Sequence, residues 1–290
     1  MLSRTQMRHF LAVVDTGSFT RAAHALNIAQ PSLSGGIAEL ERQLGTRLFV
    51  RERRRIGLTA AGNALLPMAR AIEAQFHDAE ARIGAVPVPA RPIRLGVLDT
   101  VSTAWIEATV ARYAGDRPLE LTEGGERELA SALATGSIDL ALTLLGGGRR
   151  SEGTVLLEED YCLALPASHP LAAASTIRAT DVAGETMIAR RACEVLGETS
   201  RFFTTSGVRP RFALRSAHDD RAMALVRAGL GVTVAPRSLG IAGVTMVPIS
   251  DFGLRRRIGL VSSQSPTNTL DRDNALVQVL EKTAPRFRVA

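Results

Sequence analysis

The heptapeptide VPVPARP at residues 86–92 divides the chain into two parts with different periodicities. Three prolines within seven residues favour a stiff, extended connector and stop any helix that reaches them. Upstream, apolar residues recur almost entirely at helical spacing. Downstream, from Ile93 onward, short apolar runs of strand length alternate with helical stretches. No single packed sheet or bundle satisfies both patterns, so the chain is expected to be a small helical head joined to an α/β body. Its 290 residues suit two or three domains.

In the head, Met7, Phe10, Leu11 and Val14 mark the inner face of a first helix that Gly17 closes. Ser18 is a good N-cap for a second helix, in which Ala22, Ala23 and Leu26 face inward. After a three-residue connection comes AQPSLSGGIAELERQLG, residues 29–45, with Leu33, Ile37, Leu40 and Leu44 in a buried stripe and Pro31 in the first turn. Two short helices joined by a tight turn, the second polar on its outer face, form a helix-turn-helix pattern. The following segment, TRLFVRERRRIGLT, reads as a hairpin with an arginine-rich tip, giving a winged version over residues 1–60.

Charge supports this reading. Residues 1–60 hold nine arginines against four acids, a net of +5 out of +6 for the whole chain. A positive charge concentrated in the first fifth of the sequence is expected of a module that binds a polyanion, here double-stranded DNA. The candidate contacts are Gln30, Pro31, Ser32, Ser34 and Gly35 on the second helix of the motif, with Arg51, Arg53, Arg54 and Arg55 on the wing. The helix places Gly36 at the edge of the buried stripe, where it would let a neighbouring helix approach. Gly35 lies almost opposite, on the outer face. Each glycine costs a helix about 1 kcal/mol relative to alanine, so both positions require an explanation.

From residue 60 to about 85, Leu65, Ala69, Ile72, Phe76, Ala79 and Ile83 alternate steps of four and three. This is the spacing of a seam between paired helices, with Pro67 expected to kink or loosen it. Residues 61–90 are therefore read as a dimerisation helix and hinge. Beyond them, IRLGVLD, LELTEG and IDLALTLL read as strands separated by helices, the arrangement of a parallel sheet covered on both faces. SAHD at 216–219 resembles a capping box for the helix that follows.

Several segments together resemble a known family: FLAVVDTGSFTRAAHALNIAQPSLSGGIAELERQLGTRLFVR, LTAAG, SHPLA and VRAGLGVTVAPRSL are similar to LysR-type transcriptional regulators. The resemblance covers nearly the whole chain and is tightest over the first 65 residues. It implies an α/β fold overall, with an N-terminal winged helix-turn-helix, a long linker helix and a two-lobed effector domain over 91–290 like that of periplasmic binding proteins. Lobe I would take residues 91–164 and 267–290, and lobe II residues 165–266. The resemblance also implies a homodimer or homotetramer, a small-molecule effector between the lobes, and engagement of RNA polymerase. The family often carries a long polar residue where this chain has Gly35.

The effector site is expected at LDTVSTAW, where a strand runs into a helix N-terminus. Thr100, Ser102 and Thr103 stand there beside free N–H groups, a setting suited to a carboxylate or another small anion. Arg190 would supply a counter-charge from the other lobe. Cys193 follows two arginines and offers a redox-sensing alternative, although Cys162 lies far off in sequence. An enzyme is not expected. There is no nucleophile elbow or phosphate-binding loop, and Gly229-Leu230-Gly231 stands between a helix and a strand, the reverse of a dinucleotide fingerprint. His9, His24, His77, His169 and His218 are scattered without metal-ligand spacing. No cofactor, metal or membrane partner is expected, and the N-terminus lacks a secretory signal pattern, which fits a cytoplasmic protein.

Overall fold

A computed structural model describes residues 1–52, 55–83, 91–146, 153–262 and 274–285, without the side chains of 51, 52, 55, 78 and 81–83. The wing tip with Arg53 and Arg54, the connector 84–90 and residues 267–273 and 286–290 of the return segment lie outside these residues, as do the side chains of Arg51, Arg55 and Ile83.

The head consists of α1 (Arg4–Thr16), α2 (Phe19–Ala25), α3 (Gln30–Leu44), the hairpin strands β1 (Phe49–Glu52) and β2 (Arg55–Leu58), and the first turns of α4 (Ala60–Ile83). Its boundaries follow local chemistry. The Ser3 hydroxyl accepts from Gln6 N to start α1, and Gly17 ends it at φ +63°. Ser18 caps α2, and Gly45 closes α3 in the same left-handed conformation. Met7, Phe10, Val13, Leu33, Ile37 and Leu40 form one core with Phe49. The Phe49 ring lies 5.3 Å from that of Phe10 and 5.7 Å from that of Phe19. Glu41 fixes the wing to α3, because its carboxylate accepts from the backbone N–H of Leu48 at 2.8 Å and of Phe49 at 3.3 Å.

The body contains β3 (Ile93–Leu98), α5 (Thr103–Arg112), β4 (Leu119–Gly124), α6 (Glu126–Ala134), β5 (Leu140–Leu144) and β6 (Thr154–Pro166). Then come β7 (Thr186–Arg190), α7 (Leu196–Thr205), β8 (Arg211–Ser216), α8 (Asp219–Arg227), β9 (Thr233–Pro236), β10 (Val244–Pro248), β11 (Arg255–Ser262) and α9 (Ala275–Thr283). β3 pairs in parallel with β4 and β5, and β11 runs antiparallel between β5 and β6. The thirteen-residue β6 continues past β11 to pair with β9 and β10.

Three buried clusters result, one in lobe I and two in lobe II, the smaller of which is built by Ala164, Ile188, Ala222, Met223 and Val226. The first gathers Leu95, Val97, Trp105, Leu129, Leu142 and Ile258, and α9 adds Leu276, Val277 and Leu280 to it. The second gathers Tyr161, Leu163, Leu165, Ile177, Met187, Phe203 and Val234, with Phe252 at its edge. These two lobes are connected where β6 and β11 pass from one to the other, which places the chain crossings at the back of an inter-lobe cleft.

One local expectation is corrected. α8 has His218 as its N-cap with no side-chain capping bond, and the Ser216 hydroxyl instead exchanges hydrogen bonds with the backbone of His218. α4 runs through Pro67 as one helix of 24 residues.

Candidate functional site

On the head, the outer face of α3 carries Gln30, Pro31 and Ser32, all exposed, with Ser34 half-buried beside them. Ala29 provides no capping side chain, so the first-turn N–H groups have no side-chain acceptor of their own at the cap and are available to a phosphate. Gln30 Nε2 donates to Ser34 Oγ at 2.8 Å, a neutral i,i+4 pair that can open toward a base edge. An added Cβ on Gly35 would meet nothing within 4 Å, whereas one on Gly36 would lie 2.5 Å from His9 Nδ1 of α1. Beside this face, a groove of about 500 Å³ is lined by Phe19, Ser34, Ala38, Arg42 and Arg47. Arg42 is held by Glu39, and Arg47 adds a cation that was visible in the sequence only as part of the charge count.

The α4 seam is used by two different neighbours. Ala69 is fully buried in the head's own core, and Leu65 packs against that core. Ile72, Phe76 and Ala79 are exposed, and Met68 joins them at 61% exposure. The expectation of one continuous partner-facing seam is therefore corrected: the first turns of α4 are consumed by the head, and the free apolar stripe starts at Met68. Phe76 is covered on one side by the Arg4 guanidinium, 4.5 Å from the ring centroid.

At the cleft, β3 delivers Thr100, Ser102 and Thr103 to the N-terminus of α5. They do not share one environment. Thr100 is buried, its hydroxyl accepts from Arg256 Nη1 at 3.0 Å and its carbonyl from Nη2 at 3.1 Å. Ser102 is buried with no capping hydrogen bond from its side chain. Thr103 is exposed and donates to Asp220 Oδ2, across the cleft on α8, at 2.8 Å.

Arg190 does not present a free charge to this space. Its fully buried guanidinium is paired with Asp219 and donates to the Val234 carbonyl at 3.2 Å. Burial opposes its charge, but Asp219 outweighs burial and raises its pKa. Asp99, at the end of β3, has its carboxyl pushed up by burial and by nearby Glu128 and Asp219.

Residues that the sequence reading did not single out hold the back of the cleft. Arg256, on β11, is 4% exposed and donates to Glu159 at 2.9 Å, to Glu194 at 2.7 Å and to Thr100. Glu159 also accepts from Ser238 N–H and Oγ–H. The cluster thus joins lobe I, through Thr100, to lobe II, through Glu194 and Ser238. One signal was present in the sequence: Arg255, Arg256 and Arg257 occupy consecutive positions of one strand, so alternation obliges one side to turn inward.

A winged helix-turn-helix joined by a long helix to a two-lobed α/β body defines a DNA-binding regulator with a ligand-binding domain. Residues 5–63 match the family model of the bacterial regulatory helix-turn-helix proteins of the lysR family, and residues 88–282 match that of the LysR substrate binding domain. The chain belongs to the LysR family of transcriptional regulators. It is 33% identical over 267 residues to a probable hydrogen peroxide-inducible genes activator of Mycobacterium avium, covering 90% of this chain and 83% of the relative. It is 32% identical over 247 residues to the regulator YnfL of Escherichia coli, covering 80% and 81%. Among solved structures, a full-length OxyR variant from Pseudomonas aeruginosa superposes with a TM-score of 0.71 at 21% identity, covering 98% of this chain and 95% of that one. This last likeness concerns the fold alone. Among the described residues, no helix is long and apolar enough to cross a membrane.

Proposed function

We infer that this LysR-type regulator binds its operator as a homodimer or homotetramer through the outer face of α3 and the arginine wing. In this reading, a small, singly charged carboxylate bound at the α5 N-terminus biases how the lobes close and how RNA polymerase is engaged. The observation that carries the effector assignment is the Thr103–Asp220 contact: a carboxylate already lies at the N-terminus of α5, whose first turn contains no acid of its own. Helix N-termini favour anions in that position. Asp99, next to Thr100 in the chain, feels Glu128 and Asp219, and this local acidity opposes a second negative charge on the ligand. The protein acts by binding, and no group in the cleft is assigned a role in turnover.

The DNA assignment is tested by measuring operator affinity across a salt series. Each phosphate contact contributes about 0.9 to the slope of log K against log salt. An Arg53→Ala/Arg54→Ala double variant is expected to flatten the slope by about 2 if both residues contact the backbone. An unchanged slope removes the wing tip from the interface.

A second reading, redox sensing by Cys193, is favoured by the similarity to the mycobacterial peroxide-inducible activator. The local chemistry opposes it. Cys193 is buried, and burial outweighs Arg190 to push the thiol pKa up, away from a reactive thiolate. It packs in the cluster that contains Tyr161 and Leu163, while Cys162 belongs to the opposite face of β6 beside Arg237. A disulfide between the two would have to cross the sheet. Peroxide is therefore expected to leave operator binding equal in wild type and Cys193→Ser; a peroxide response lost in Cys193→Ser would establish redox sensing instead.

A further inference from the structure

A second site lies where α4 meets lobe I, well away from the inter-lobe cleft. An open pocket of about 490 Å³ is bordered by Arg4, Asp15, Arg70, Glu73, His77, Arg91 and Arg94, with Leu11, Ala74 and Pro92 between them. This volume is within the range of small-molecule pockets. The guanidiniums on its lobe-facing side outnumber the carboxylates that balance them. Arg91 Nη2 and Arg94 Nη2 both donate to Asp139 Oδ1 at 2.8 Å, so two cations share one buried acid. Arg70 reaches Asp15 at 3.0 Å and the Gly136 carbonyl at 3.1 Å, and its Nε is buried with no hydrogen-bond partner. Arg117, close behind, donates to the carbonyls of Arg91 and Pro92.

Three lining guanidiniums, those of Arg70, Arg91 and Arg94, therefore stand against the carboxylates of Asp15 and Asp139 on this side. The other wall carries the opposite excess, the Arg4 guanidinium against both Glu73 and Glu80, so the cationic surplus is confined to the lobe-facing side. Burial chiefly holds the Arg70 pKa below its ordinary value; Asp15 opposes the shift, and the cations of Arg94 and Arg91 add to it. Arg91 is lowered in the same way, with Arg94 and Arg117 opposing Asp139. A buried donor left unpaired is costly, and guanidinium forks match the oxygens of a phosphate.

We propose that this pocket is an anion site for a phosphate group, free or carried by a small phosphorylated metabolite, held between Arg70 of α4 and Arg91 and Arg94 of lobe I. The site spans the joint between the DNA-binding head and the effector domain. Its occupant would join the two through Arg70, independently of whatever binds in the cleft.

The test is calorimetric titration of the full-length protein with sodium phosphate, with glycerol phosphate and with sodium chloride at matched ionic strength, paired with thermal melts. Saturable binding of one phosphate per chain is expected, with a melting shift that chloride does not reproduce. Tighter binding of the ester identifies a metabolite-borne phosphate, and equal binding identifies the free ion. Loss of a charged hydrogen-bond donor predicts about tenfold weaker binding in Arg70→Gln and in Arg91→Gln. In Arg91→Gln, Asp139 keeps Arg94, so folding is retained even if Arg70→Gln perturbs the joint. Arg53→Ala/Arg54→Ala and Thr103→Val should bind phosphate as wild type does, separating this site from the DNA face and the cleft. No saturable binding above chloride, or wild-type affinity in both Arg70→Gln and Arg91→Gln, overturns the proposal.

Discussion

An alanine Cβ at position 36 would lie 2.5 Å from Nδ1 of His9, a ring that α1 presses against α3. The same atom at position 35 would meet nothing within 4 Å. The two glycines therefore have different reasons to be glycine, although their helix-propensity cost is the same. Gly35→Ala should recover most of that cost, about 0.8–1 kcal/mol. Gly36→Ala recovers it too but displaces a half-buried ring, and overpacking of this kind costs about 1–3 kcal/mol, leaving a net loss. Hydrogen exchange of α1 and α3 amides in the full chain should show protection rising in the first variant and falling in the second. Operator affinity should fall in Gly35→Ala if the DNA backbone comes close to α3 there. Equal or tighter binding would mean that the outer glycine is merely tolerated. The helical face of each glycine could be read from the sequence, because it depends only on the angle between successive residues. The identity of the neighbour could not, because His9 is 27 residues away and shares no periodicity with it.

At the scale of elements, α4 shows how a correct periodic pattern can conceal two partners. The steps of four and three are present, but a helix has the same apolar spacing whether it faces its own domain or another chain. Burial separates the two uses: Leu66 and Ala69 complete the head's core, and Met68, Ile72 and Phe76 remain exposed at successive turns. An apolar stripe of three large side chains on an otherwise polar helix is a costly surface for an isolated chain. Ile72→Asp places a charge in the middle of it. Sedimentation equilibrium should then find the assembly reduced to monomers, with operator affinity reduced as two half-sites become independent. An unchanged mass would move the dimer contact elsewhere. The same α4 carries Arg70 to lobe I on another face, so Phe76→Ala, which leaves Arg70 untouched, is the companion variant for separating assembly from head–body docking. The missed SAHD capping box has a similar cause. The spacing is right, but Asp219 is drawn away from the helix end by the buried Arg190, a partner 29 residues distant.

For the whole molecule, the two-lobe arrangement was legible as a series of strands and helices, while the exchange of strands between lobes was not. β6 is a single run of thirteen residues that serves both lobes, and nothing in its composition marks the residue at which one lobe gives way to the other. The cleft chemistry was legible in part. The hydroxyls at the α5 N-terminus were visible, but Arg256 and Asp220 come from strands and helices more than 100 residues later. Those two residues set the mechanics of the cleft. Arg256 joins the lobes at the back through Thr100, where removing the cation would strand the buried Glu159. Asp220 joins them at the mouth through one exposed hydrogen bond, worth little in water and easily exchanged. Under the proposed reading, an anionic effector at the α5 N-terminus has to displace Asp220, which makes the protein's own carboxylate a tethered competitor. Asp220→Ala should therefore bind a small carboxylate more tightly than wild type, whereas Thr103→Val should bind it more weakly, with basal operator affinity kept in both. Both variants lose the same cross-lobe hydrogen bond, so opposite signs separate competition for the site from loosening of the lobes. The measurement is a melting-shift screen of monocarboxylates on the three proteins, followed by titration of any that stabilises the wild type. If the two variants move in the same direction, Asp220 is only a clasp and the carboxylate binds elsewhere.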